Sequence, residues 1–204
     1  MTVSTSGQGI KFIGDLSAQD AALLARYASG ARSVLEFGAG GSTQIIAQAL
    51  CVGGSFVSID TDPQWIETTR TNLRRLGVED RCQFLSYDEW SPDATQFDLV
   101  FNDGLRSLRR DFAHRSFPQL TIGGAMLFHD TRRPLDVCDV TSLVEVFFEE
   151  IDQVQLNERF GGSSSNITAV RKKAREPYVD WNAAEGRPPW AYGRGTVPDE
   201  FWPK

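Results

Sequence analysis

Ser33-Val34-Leu35-Glu36-Phe37-Gly38-Ala39-Gly40-Gly41-Ser42-Thr43 is the stretch on which the reading of this chain turns. Ser33 to Phe37 is a short apolar run of the kind that forms a buried strand, and Gly38, Ala39 and Gly40 force a sharp turn after it. Ser42 follows as an N-cap for a helix whose apolar positions Ile45, Ile46, Ala49 and Leu50 recur at helical spacing. Strand, glycine turn and helix make the first half of a nucleotide-binding βαβ unit. Glycines let the backbone approach a ligand, and a helix N-terminus offers free N–H donors to an anion.

The dinucleotide fingerprint G-x-G-x-x-G is incomplete here, because no third glycine follows Gly38-x-Gly40-Gly41-Ser42. An acidic residue, Glu36, stands two positions before the first glycine. Working outward, Gly53-Gly54 turns the chain into a second strand, Ser55 to Ile59, which stops at Asp60 and Thr61. Asp60 lies 22 residues after Gly38, where an acidic side chain accepts hydrogen bonds from both hydroxyls of a ribose. Asp62-Pro63 starts a helix with Trp65, Ile66, Thr69, Leu73 and Leu76 inward, and Gly77 closes it. Cys82 to Ser86 is a third strand, with Asp88 just beyond it, and Phe97 to Asn102 a fourth, ending at Asp103-Gly104. Glu36, Asp60, Asp88 and Asp103 thus put carboxylates on four successive strand tips.

This pattern resembles the class I S-adenosylmethionine-dependent methyltransferases. Glu36-Phe37-Gly38-Ala39-Gly40 looks like their motif I, and Phe97-Asp98-Leu99-Val100-Phe101-Asn102-Asp103-Gly104 is similar to their strand-four sequence F-D-x-V-x-x-D-G. The resemblance covers about residues 17–173. It implies an α/β, Rossmann-like three-layer sandwich whose mostly parallel seven-stranded sheet closes in a C-terminal antiparallel hairpin. It also implies that S-adenosylmethionine is held by Glu36, Gly38, Ala39, Gly40, Ser42, Thr43, Asp60, Thr61, Asp88 and Asp103. In that family the first acidic residue reads the methionine ammonium and the third the adenine amine, the roles that fall to Glu36 and Asp88.

The remaining elements follow the same plan. Ser17-Ala18-Gln19-Asp20 opens a leading helix that Gly30 ends, and another helix runs from about Leu105 to Leu120. A fifth strand, Ala125 to His129, ends at Asp130. Val140, Leu143, Val144, Phe147, Phe148 and Ile151 mark one apolar helix face, and Val154–Asn157 with Asn166–Val170 form the closing strand pair. Asp103 with His129-Asp130-Thr131 resembles the divalent-metal O-methyltransferases of the catechol and macrolide-sugar types. The resemblance implies Asp103, His129 and Asp130 as catalytic residues and Asp103, Asp130 and Thr131 as ligands of Mg²⁺. A hydroxyl at Thr131 is a poorer ligand for a hard cation than the carboxylate or amide expected there. Without metal, Asp103 or His129 is left as general base.

Size and charge narrow the function. At 204 residues the chain reads as one domain, 1–173, with an aromatic and proline-rich tail, 174–204, that lies across the body or a neighbouring subunit and supports a homo-oligomer. A net charge of −6 disfavours a nucleic-acid partner and favours a small-molecule acceptor. The arginines at 106, 109 and 110 read as a solvated helix face, with a local basic groove as the alternative. Cys51, Cys82 and Cys138 match no disulfide framework or zinc spacing, and Cys51 and Cys82 read as small core residues. No run approaches a membrane span and no signal-peptide region is evident, so a cytoplasmic protein is predicted. An NAD-dependent oxidoreductase and a cofactor-binding protein without turnover are the competing readings.

Overall fold

The computed structural model describes residues 16–175; the expectations for the aromatic tail lie outside them. The strands are β1 (Ser33–Phe37), β2 (Ser55–Asp60), β3 (Gln83–Ser86), β4 (Phe97–Asn102), β5 (Leu120–His129), β6 (Ile151–Gln155), β7 (Arg159–Phe160), β8 (Ser163–Ser164) and β9 (Ile167–Lys172). The helices are α1 (Ala18–Ser29), α2 (Gly41–Ala49), α3 (Pro63–Leu76), α4 (Arg109–Ser116) and α5 (Pro134–Phe147). Seven strands form one sheet in the order β3-β2-β1-β4-β5-β9-β6, while β7 and β8 make a separate two-stranded ribbon. Strands β1 to β5 are parallel, and β9 runs antiparallel between β5 and β6.

Alternation along the strands sorts the core onto two faces. Val34, Leu99, Phe101 and Leu127 pack with Leu24 of α1, Ile46 of α2 and Leu73 of α3. Leu35, Phe37, Val100 and Met126 pack with Phe112 of α4 and Leu143 of α5. A sheet covered on both faces needs strands apolar on both sides, which is why β1, β4 and the second half of β5 are mainly hydrophobic. The expected three-layer α/β sandwich with its antiparallel closure is the fold observed.

Several boundaries differ from the sequence expectation, each for a local reason. Helix α2 begins at Gly41, so Ser42 is not its N-cap. Instead Gly40 N–H donates to the Thr43 hydroxyl at 2.7 Å, drawing the backbone into the helix earlier. Helix α4 spans eight residues, because Pro118 supplies no N–H and the chain tightens to a 3₁₀ turn at Phe117–Gln119. Strand β5 runs through Gly123, whose φ of +84° accommodates an irregular register against β4. Helix α5 stops at Phe147, which leaves Phe148 65% exposed and passes Ile151 to β6. Cys51 is exposed rather than core as expected and Cys82 is half-buried, while Cys138 is exposed.

Helix α3 starts as expected, with Asp62 accepting from Gln64 N–H at 2.8 Å and Trp65 N–H at 3.4 Å. Asp62→Ala removes this cap and should lower stability by about 1 kcal/mol, measured by urea denaturation. An unchanged midpoint would show that Pro63 alone sets the start of the helix.

Candidate functional site

The glycine turn is shaped by two close contacts. Gly38 sits at φ +103°, and a Cβ there would lie 2.5 Å from the Asp103 carbonyl oxygen. Gly104 is equally confined, since a Cβ would meet the Phe37 ring at 2.5 Å. Gly38 therefore lets the ends of β1 and β4 meet backbone to backbone, and Gly104 leaves room for the Phe37 ring.

Beneath the turn lies Glu36, fully buried. One of its oxygens, Oε2, accepts from the Thr43 hydroxyl and the Ser58 hydroxyl, each at 2.6 Å. Thr43 in turn accepts from Gly40 N–H, so Glu36 fixes the loop through a two-step relay. Its other oxygen, Oε1, has no hydrogen-bond partner among the described residues. Burial pushes the Glu36 carboxyl up to about 7, against the downward pull of the Ser42, Ser58 and Thr43 hydroxyls, with Asp103 adding to the rise.

Asp60, at the end of β2, accepts from Ala39 N–H at 2.8 Å and Asp62 N–H at 2.9 Å. Burial raises its carboxyl above the ordinary range, while the Asp62, Ala39 and Thr61 amides oppose that rise. Trp65, read from sequence as an inward core residue, is 39% exposed and donates its indole N–H to the Ala39 carbonyl. It closes one side of the loop.

A cleft of about 500 Å³ opens at these strand ends, within the roughly 300–1,000 Å³ usual for small-molecule sites. Gly38, Ala39, Gly40, Ser42, Asp60 and Thr61 line one side, and Asp103, Asp130, Arg106, Arg109 and Arg133 the other. Of the remaining sequence candidates, Glu36 and Thr43 lie under the loop, and Asp88 is exposed in a turn beyond the cleft wall. Trp90 is buried against Phe112 in the core. A larger hollow of about 810 Å³ lies at the opposite ends of the strands, near Arg32, Asp98 and Gly124. In open α/β sheets ligands bind outside the carboxyl ends, which makes the smaller cleft the candidate site.

At the far side of the cleft the side chains are densely coupled. Asp103 Oδ2 is 3.0 Å from His129 Nδ1, and Asp103 Oδ1 accepts from Arg109 Nη2 at 2.7 Å. His129 is 2% exposed and does not line the cleft; its Nε2 faces Asp20 of α1 at 3.7 Å. Asp130 sits at φ +64°, a conformation that aspartate tolerates better than most residues. Its Oδ1 accepts from Asn166 Nδ2 at 3.1 Å, and its Oδ2 pairs with Arg133 and lies 3.6 Å from Arg109 Nη2. Thr131 is buried, its hydroxyl held by Asn157, Asn166 and Thr168.

Asp103, His129 and Asp130 are close enough to offer one ligand atom each to a cation. Yet each of the four carboxylate oxygens already has a protein nitrogen beside it: guanidiniums at Asp103 Oδ1 and Asp130 Oδ2, the Asn166 amide at Asp130 Oδ1 and the His129 ring at Asp103 Oδ2. Mg²⁺ demands near-ideal octahedral oxygen ligands, and this set does not present them.

Sequence reasoning missed Arg109, Asp136, Asp20 and Asn166. Arg109 was grouped with a solvated face, but it is 8% exposed and anchored by Gly104 O, Asp103 and Asp136. Nothing local in the sequence marks Asp20 or Asn166, since both reach the site only through tertiary packing.

Comparison with known proteins agrees with the geometry. Residues 35–131 match the sequence model of a family described as a methyltransferase domain. The O-methyltransferase TomG from Streptomyces achromogenes, solved with S-adenosylmethionine, is 19% identical, with a TM-score of 0.64 over 78% of this chain and 82% of that one. An O-methyltransferase from Bacillus cereus, solved with S-adenosylhomocysteine, is also 19% identical, with a TM-score of 0.61 over 78% and 83%. Ribosomal protein L11 methyltransferase from Salmonella arizonae is 34% identical over 83 residues, 40% of this chain. The chain spans 28% of that relative's length. The matched segment is similar to a methyltransferase domain, and the fold is the Rossmann-like one of the solved methyltransferases. No described helix is long and apolar enough to cross a membrane.

Proposed function

We propose that the chain transfers a methyl group from S-adenosylmethionine to an oxygen of a small-molecule acceptor, held at the carboxyl ends of β4 and β5. The observation that carries this reading is one cleft shared by two sets of groups. The glycine loop with Asp60 lines one side, and Asp103 with Asp130 the other. The cofactor fits the residues present. Asp60 offers lone pairs toward the cleft for ribose hydroxyls, and the closely approached loop leaves its backbone open to the methionine arm. Glu36 acts on that arm through Thr43 and the loop. Asp88 is left as a candidate for the adenine, from the rim.

When bound, S-adenosylmethionine supplies a methyl group on a sulfonium as the electrophile. The chain itself orients the acceptor and receives its proton. Asp103 faces the cleft and takes the proton from the acceptor hydroxyl as that oxygen is methylated. His129, buried behind Asp103, positions the carboxylate. Asp130 lines the acceptor side beside it. The net charge of −6 argues for a small acceptor over a nucleic acid.

Thermal shift with S-adenosylhomocysteine, S-adenosylmethionine and NAD tests this reading, because stabilisation grows with ligand concentration over dissociation constant. Both sulfur ligands should raise the melting temperature and NAD should not; stabilisation by NAD alone would overturn the proposal. Asp60→Ala should weaken S-adenosylhomocysteine by roughly 1–3 kcal/mol in calorimetry, through loss of charge-assisted hydrogen bonds. Equal affinity would remove Asp60 from the ribose.

A further inference from the structure

We infer that Arg109 is the resident cation of the acceptor site, taking the position between Asp103 and Asp130 that a divalent metal would otherwise hold. The inference rests on the methyltransferase reading of the cleft and concerns how its acceptor side is built. A single atom, Arg109 Nη2, lies 2.7 Å from Asp103 Oδ1 and 3.6 Å from Asp130 Oδ2. The same guanidinium donates through Nε to Gly104 O at 2.7 Å and through Nη1 to Asp136 Oδ1 at 2.9 Å. Held on three sides and almost wholly buried, it is a fixed part of the wall.

Charge count points the same way. Four carboxylates, on Asp103, Asp130, Asp136 and Asp139, are met by four guanidiniums, on Arg106, Arg109, Arg110 and Arg133. Charge balances within these eight side chains, and Asp20 with His129 adjoins them as a further acidic and basic pair. A dication entering it would add two uncompensated charges, or would have to expel Arg109 and strip a partner from Asp136, which is 3% exposed. Separating a buried ion pair in this way is strongly unfavourable.

The consequence concerns substrate class. A metal favours acceptors with two adjacent oxygens, which chelate it and displace its waters. A fixed guanidinium sets no such requirement, so a single hydroxyl suffices as acceptor. Its deprotonation falls to Asp103, which Arg109 and His129 hold in place from either side. Arg109 is in this sense a positioning residue.

Mn²⁺ titration followed by electron paramagnetic resonance, on full-length protein saturated with S-adenosylhomocysteine, tests the inference. Wild type should leave Mn²⁺ free in solution. Arg109→Ala should gain a site at least about tenfold tighter, because the two carboxylates lose their shared countercharge. The double variant Arg109→Ala, Asp103→Asn should lose that site again. Mn²⁺ binding by wild type that Asp103→Asn abolishes would overturn the inference, as would a folded Arg109→Ala protein blind to Mn²⁺. Where Arg109→Ala fails to fold, Arg109→Lys keeps the charge with fewer donors. It should still exclude Mn²⁺, and its binding the ion would count against Arg109. Failure of S-adenosylhomocysteine to bind is read separately by calorimetry and bears on the methyltransferase reading alone.

Discussion

Gly38→Ala is expected to destabilise the protein by roughly 2–6 kcal/mol and to abolish measurable binding of S-adenosylhomocysteine. Two costs combine. At φ +103° an alanine is held in a region that L-residues rarely adopt, at roughly 1–3 kcal/mol. Its Cβ would also sit 2.5 Å from the Asp103 carbonyl oxygen and 2.6 Å from its carbon, so backbone must move, at roughly another 1–3 kcal/mol. The atoms that move belong to the junction of β1 and β4, where Asp103 N–H donates to Phe37 O at 2.8 Å. Displacement there shifts the loop and Asp103 together, so stability and ligand binding fall together. Chemical denaturation and calorimetry check both; a variant with wild-type affinity would mean that the loop is not the cofactor cradle.

The second large effect is on pH dependence. Glu36→Gln should flatten the stability profile between about pH 4.5 and 7, by about 3 kcal/mol relative to wild type. The direction follows from the raised folded-state value. Between 4.5 and about 7 the native carboxyl holds a proton that the unfolded chain has released. The stabilising contribution is therefore complete below 4.5 and is lost as pH rises through about 7. At about 1.4 kcal/mol for each pH unit, the displacement amounts to about 3 kcal/mol. A glutamine carries no charge to bury, so its profile lacks this slope. Urea denaturation of both proteins across that range is the measurement, and parallel profiles would mean that Glu36 is ionised in the fold. Gln leaves the Thr43 and Ser58 hydroxyls an acceptor, so the loop is expected to survive the change.

The two effects share a cause. Gly38 and Glu36 are two residues apart, and each serves the same loop, one by letting β4 approach and one by holding Thr43 and Gly40 from below. That loop and the strand before it were legible from the sequence. The fold was legible too, because a parallel sheet covered on both faces imposes apolar runs, and the runs of β1, β2, β4 and β5 lead into glycine or a carboxylate. Asp60 and Asp103 were readable for the same reason. Strand ends in such a sheet converge, so residues that end strands come to one edge whatever the intervening helices do.

What failed were readings that needed to know which way a side chain turns. Trp65 fits the helical period of an inward residue, yet it lies over the Ala39 carbonyl because α3 begins at the cleft. Thr131 follows Asp130 directly, but the turn at φ +64° sends its hydroxyl toward Asn157 and Thr168.

By itself the sequence determined the order of strands and helices, the glycine loop and the carboxylates at the strand tips, since these depend on residue type and spacing along one segment. Only the tertiary structure decided that Arg109 stands between Asp103 and Asp130, that His129 lies behind Asp103, and that Asp20 and Asn166 close the network. Those pairings join α1, α4, β5 and the turn before β9. The chain's local preferences say nothing of such contacts, because they form only when packing of the sheet faces brings the elements within hydrogen-bonding distance.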